Sequence, residues 1–143
     1  MRYRAWMVGF TMAVLPGAGM AQTEPLADLA RLKQATNAGR LAALQEILTE
    51  RKIPFEAHAF DGGKKDKPEK GTNLSVAFGS GPREIVVGAH YDAMMLKDGT
   101  LSHGMVDNGA SVVALVRLAE ALREKKLRHP VRLLFFDQEE LGL

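Results

Sequence analysis

Glu84-Ile85-Val86-Val87-Gly88-Ala89 is a nearly continuous apolar run, and Val131-Arg132-Leu133-Leu134-Phe135-Phe136 is a second. Between them, Ala110 to Lys126 repeats apolar residues at helical spacing: Val112, Val113, Leu115, Val116, Leu118, Ala119 and Leu122. Arg123, Lys125 and Lys126 suit the C-terminal end of that helix, and His129-Pro130 closes it. Strand, helix and strand with a short return make a βαβ unit, which demands a parallel pair. The apolar runs predict strands buried on both faces, as in a sheet lying between helices. The fold class is therefore α/β.

Upstream, Phe55 to Phe60 alternates apolar and polar side chains, as a half-buried strand does. Thr72 to Phe78 reads as its hairpin partner. Asp61 to Lys70 lies between them with Gly62, Gly63, Pro68, lysines and no apolar residue, and it predicts a solvated loop. Lys64 there is followed by Lys65 where a phosphate loop needs Ser or Thr. Gly79-Ser80-Gly81-Pro82 is a turn that lacks the third glycine of a dinucleotide fingerprint. Before Pro54, Leu26, Leu29, Ala30 and Leu32, then Leu41, Leu44, Ile47 and Leu48, predict two short helices or one bent helix, with Thr23 as an N-cap and an interruption at Asn37-Ala38-Gly39.

Residues 1–21 read differently. Arg2 and Arg4 precede an apolar stretch from Ala5 to Leu15; Pro16-Gly17 breaks it, and Gly19-Met20-Ala21 offers small residues at a cut. This is the three-part layout of a secretory signal, so export to the periplasm or outside is expected. The apolar stretch is short of the roughly 20 residues that span a bilayer. The full chain of 143 residues holds 19 Lys+Arg and 17 Asp+Glu; without the two signal arginines the balance is even. The basicity is therefore no evidence for nucleic-acid binding, which would need a clustered basic face, and no nucleic-acid partner is expected. There is no cysteine, so any metal site must use imidazole and carboxylate.

Three polar clusters sit beside the βαβ elements: His90-Tyr91-Asp92 after the first strand, Asp107-Asn108-Gly109 before the helix, and Asp137-Gln138-Glu139-Glu140 after the second strand. In open α/β sheets ligands bind beyond the carboxyl ends of the strands, so one fold rule brings three remote clusters to one rim. Such a site suits metal-assisted hydrolysis. Neutral imidazole and carboxylates suit Zn²⁺. Asp92 can orient His90 through the far ring nitrogen, and Asp107 can bridge two metals. Of adjacent Glu139 and Glu140, one can ligate while the other serves as base. Taken singly, each cluster also reads as a surface hydrogen bond, a helix cap or a solvated helix start. His58, His103 and His129 read as loop or surface histidines. Gly109-Ala110-Ser111-Val112-Val113 lacks the closing glycine of a serine-hydrolase elbow.

Val87 to Asp92, Asp107 to Gly109 and Asp137 to Leu143 together resemble the successive motifs of the di-zinc aminopeptidase family, which includes aminopeptidases S and Y, glutamate carboxypeptidase and the glutaminyl cyclases. The resemblance covers roughly residues 72–143. It implies a mixed, mainly parallel sheet between helices, opened by an antiparallel hairpin. It implies that His90 and Glu140 bind different zinc ions, Asp107 bridges both, Asp92 orients His90, and Glu139 is the general base toward a bridging water. The implied substrate is a peptide. Gln138 stands where the family often has Gly, and Gly109 where it often has Ala. The family's remaining ligands, an acid and a last His, are expected beyond Leu143, so residues 22–143 are expected to be the N-terminal part of a peptidase domain. Amide transfer of the cyclase type, and a non-catalytic binding domain on the same fold, are the alternatives.

Overall fold

A computed structural model describes residues 24–64 and 67–142. The expected signal at 1–21 and the Thr23 cap lie outside the described residues, among which no helix is long and apolar enough to cross a membrane.

Helix α1 is Glu24–Arg31 and α2 is Asn37–Glu50. The break between them falls at 32–36, before Asn37-Ala38-Gly39, which instead form the first turn of α2. The cause is Thr36: its backbone is extended and its side chain accepts from Gly39 N at 3.0 Å, a helix N-cap.

Strands β1 (Glu56–Lys64) and β2 (Lys67–Phe78) form an antiparallel hairpin paired from Glu56↔Ser75 to Lys64↔Lys67. The solvated loop expected at 61–70 is thus mostly strand. Its polar composition fits because a two-stranded ribbon reaching past the core has no face to bury. Phe60 sits opposite Gly71, and a Cβ on that glycine would fall 2.3 Å from the ring, so the aromatic lies across the bare backbone.

Strand β3 (Ile85–His90), helix α3 (Ala110–Leu122) and strand β4 (Val131–Phe136) are the expected βαβ unit, with β3 and β4 parallel. The sheet order is β1-β2-β4-β3, and β2 pairs with β4 antiparallel. The sheet is mixed, as expected, with its parallel part confined to the βαβ unit.

One face of the sheet carries the core. Leu74, Phe135 and Ala89 lie in one cross-strand row and Val76, Leu133 and Val87 in the next. Leu44, Ile47 and Leu48 of α2 and Val112, Val116 and Ala119 of α3 belong to the same buried cluster. Ion pairs knit the helices: Arg51 meets Asp28 at 2.5 Å and Glu120 at 2.8 Å, and Arg117 meets Glu120 at 2.7 Å.

The expected two-sided burial of β3 is not found. Ile85, Val86 and Val87 are 51%, 55% and 36% exposed, because β3 is an edge strand among the described residues and the core lies on one face of the sheet. Apolar content alone therefore overstates burial here. We predict that Leu133→Ala, at a fully buried site, costs about 2–5 kcal/mol, whereas Val86→Thr on the open edge changes stability by about 0.5 kcal/mol or less. Urea unfolding followed by circular dichroism measures both; equal losses would show that β3 is as buried as β4.

Candidate metal centre

The parallel register sets the site. His90 lies level with Phe136, and Tyr91 N donates to Phe136 O at 2.8 Å, so the ends of β3 and β4 stop side by side. Gly88 is bare for a reason: a Cβ there would lie 2.4 Å from the Phe136 ring.

Beyond the β3 end, His90 is largely covered, with an 11% exposed side chain, and Asp92 is buried. His90 Nδ1 and Asp92 Oδ1 stand 3.3 Å apart. Neither atom has an aligned hydrogen-bond partner. The other oxygen, Asp92 Oδ2, accepts from Glu140 N at 3.1 Å. One buried carboxylate therefore faces the imidazole and anchors the backbone of the β4 turn.

Asp107 arrives on the turn Met105–Gly109 that leads into α3; its Oδ1 lies 3.1 Å from His90 Nε2. The Asp107–Asn108 peptide bond is cis. Gly109 N donates to Gly104 O at 2.9 Å. A Cβ on Gly109 would come within 2.6 Å of that same oxygen, so the glycine has a packing reason.

After β4 the chain reverses at Gln138, whose φ of 61° is left-handed. A glycine would adopt this conformation without strain. Here the amide side chain compensates by donating to Lys70 O at 2.6 Å. Asp137 faces away from the cluster: its Oδ2 accepts from Thr72 N and its Oδ1 from Gln138 N, both at 3.0 Å. The sharp turn brings both Glu139 and Glu140 near His90. Glu139 is exposed, with Oε2 3.8 Å from His90 Nε2.

His90, Asp107 and Glu140 each offer a ligand atom, and the three lie within 4.8 Å of one another. Burial pushes the Glu140 carboxyl up from its ordinary value; Asp107, Asp92 and Glu139 push it further and His90 opposes them. Such crowding of like charge around one imidazole is what a cation relieves. A His that ligates through Nε2 keeps its proton on Nδ1, and the unpartnered Nδ1 here faces Asp92. The residues thus fit a divalent metal.

The other histidines are elsewhere. His58 Nε2 lies 3.0 Å from Ser75 Oγ on the hairpin, His129 precedes the opposite end of β4, and His103 is exposed, contributing only its carbonyl to a contact with Arg40. Sequence reasoning missed Arg40 and Asn37 of α2, whose side chains bond the chain between the clusters. An arginine in an amphipathic helix carries no signal of burial. A cleft of about 920 Å³ opens beside Asp92 and Glu140, lined by Leu41, Phe60, Met94 and Leu141 among others.

The sequence pattern of Peptidase family M28 matches residues 73–143. No curated protein sequence matches the chain. Among solved structures, a glutaminyl cyclase from an Acidobacteriales bacterium is similar with TM-score 0.69 and 20% identity, over 93% of this chain and 50% of that one. A leucine aminopeptidase precursor from Bacteroides thetaiotaomicron gives 0.66 and 16%, over 84% and 46%. A glutaminyl cyclase from Macrostomum lignano gives 0.67 and 18%, over 90% and 44%. At these identities the likeness is one of fold, and the chain spans about half the length of the structures it matches. The family is metal-dependent and of peptidase type, and the matched stretch contains the three residues that could hold a metal. By pattern, fold and donor set, the chain is a member of Peptidase family M28 over residues 73–143.

Proposed function

We propose that the chain carries the catalytic rim of a zinc-dependent aminopeptidase acting on peptides, exported by its first 21 residues. The observation that carries this reading is the meeting of His90, Asp107 and Glu140 with Glu139 beside them. His90 and Glu140 would hold separate zinc ions, with Asp107 shared between them. Bound zinc supplies a Lewis acid that polarises a carbonyl and acidifies water.

The chain's own residues do the rest. Asp92 fixes the His90 ring with its proton on Nδ1. Glu139, exposed beside His90, accepts a proton from the attacking water. As the new C–O bond forms and the C–N bond breaks, the same carboxyl returns that proton to the departing amine. Asp137 and Gln138 hold the turn that bears Glu139 and Glu140. The cleft beside Glu140 is a route for an extended peptide.

A second reading is ring closure of an N-terminal glutamine, in which the α-amine attacks the side-chain amide carbon and ammonia leaves, since glutaminyl cyclases share the fold. A peptide beginning with Gln separates the two: the proposal expects release of the first residue, and ring closure without release would replace it with the cyclase reading.

For the full-length enzyme, we predict that Glu139→Gln lowers kcat about 10²–10⁴-fold with zinc content unchanged. Turnover at the parental rate would remove Glu139 from the role of base. A further prediction concerns pH. The folded-state value of Glu140 lies above its unfolded value, so ionised Glu140 opposes folding at neutral pH, and that opposition fades as pH falls through the raised value. A bound cation must hold the carboxyl ionised, so zinc affinity should weaken on acidification before the ordinary carboxylate range is reached. Calorimetric titration checks this; in Glu140→Gln the binding should be weaker and this part of the pH dependence lost.

A further inference from the structure

The first turns of α2 present two polar side chains to the backbone that bears the candidate ligands. Asn37 Nδ2 donates to Ala93 O at 3.1 Å, and its Oδ1 accepts from Ala93 N at 2.9 Å. Arg40, one turn on, has no exposed surface. Its Nε donates to Tyr91 O at 2.5 Å, Nη1 to Leu32 O at 2.8 Å and His103 O at 3.0 Å, and Nη2 to Gly104 O at 3.1 Å. A buried guanidinium is tolerated only where its donors are used, and here four carbonyls from three segments use them. Gly104 is shaped to the same end: its φ is +53°, and a Cβ would lie 2.8 Å from Arg40 Nη1.

The segments so joined are those that carry the cluster. Tyr91 stands between His90 and Asp92. Gly104 opens the turn that delivers Asp107 and is bonded to Gly109 at its other end. The nearest backbone ties between these segments lie further along the loop, at Ser102 N to Met94 O (2.9 Å) and the Met95–Leu101 bridge, so at Tyr91 and Gly104 themselves the link is the guanidinium. A core arginine with no such task could be replaced by an apolar side chain at no loss.

We infer that Arg40 is a positioning residue of the metal centre: it ties the His90–Asp92 strand end to the Asp107 turn and so sets the approach of His90 to Asp107. Lysine cannot replace it, since one ammonium cannot reach carbonyls spread around a planar fork. The inference rests on the metal reading above, so its test includes a measurement made without metal.

The test compares Arg40→Lys, Arg40→Met and Leu44→Ala in the full-length protein, at a temperature where each is folded. Leu44 is equally buried on the same helix and belongs to the core. Zinc affinity is read by titration, and hydrogen exchange of the Gly109 amide is read in metal-free protein. Both Arg40 variants should bind zinc about 10–100-fold more weakly and exchange Gly109 faster, while Leu44→Ala loses stability with neither change. Parental zinc affinity in Arg40→Lys, or an equal loss in Leu44→Ala, overturns the inference. Should the Arg40 variants fail to fold, Gly104→Ala crowds the guanidinium and must show the same loss; parental affinity there overturns it. If the parent binds no zinc, the metal reading fails, and unchanged Gly109 exchange in the Arg40 variants then sinks this inference separately.

Discussion

The parallel pairing of β3 with β4 is the constraint on which the rest depends. Six register pairs run from Ile85↔Val131 to His90↔Phe136, and they stop the two strands at the same level. A slip of one residue would turn His90 to the other face of the sheet and carry it away from Glu139 and Glu140. A parallel pair cannot be closed by a tight turn, so a crossover helix is obligatory. The entry to that helix must start at the same rim where β3 ends. Asp107 is at this entry. The gathering of three remote segments thus follows from strand direction alone, before any side chain is specified.

Around that frame, polar side chains fix the exits of the strands. The peptide group of Thr72 is held on both sides: its N–H donates to Asp137 Oδ2 and its carbonyl accepts from the buried Tyr91 hydroxyl at 2.8 Å. Asn73 Oδ1 accepts from Asp137 N at 2.9 Å. Burial pushes the Tyr91 phenol far up, with Asp137 adding to the effect, so it stays a neutral donor. The hairpin, the β3 exit and the β4 turn are therefore one hydrogen-bonded unit. The motif residues Tyr91 and Asp137, beside the metal-competent ones, serve this unit.

Much of this was legible in the sequence. The βαβ unit followed from two apolar runs flanking a helical stripe, and the rim followed from topology. The hairpin was legible in its apolar half only. Where β1 and β2 extend past the core, the side chains that mark a strand are not needed, and Gly62, Gly63 and Pro68 read as loop. The helix break near residue 37 was misplaced because glycine drew attention away from the Thr36 cap. Burial of β3 was overread because composition reports what a residue tolerates, not which neighbours cover it. Arg40 and Asn37 were invisible for a related reason: their partners are backbone carbonyls and amides, which leave no complementary letter elsewhere in the chain.

For a chain limited to the described residues, the open edge of β3 has a consequence for handling. Ile85, Val86 and Val87 present apolar side chains along a strand with no outer neighbour among the described residues. Such a seam is a template for any extended backbone that meets it. While chains are newly made or refolding, the competition is between correct closure and capture by another copy, and the second grows with concentration. Slow synthesis, dilution and a short-lived unfolded pool favour recoverable material, whereas crowded refolding at high protein load favours intermolecular sheet and precipitate.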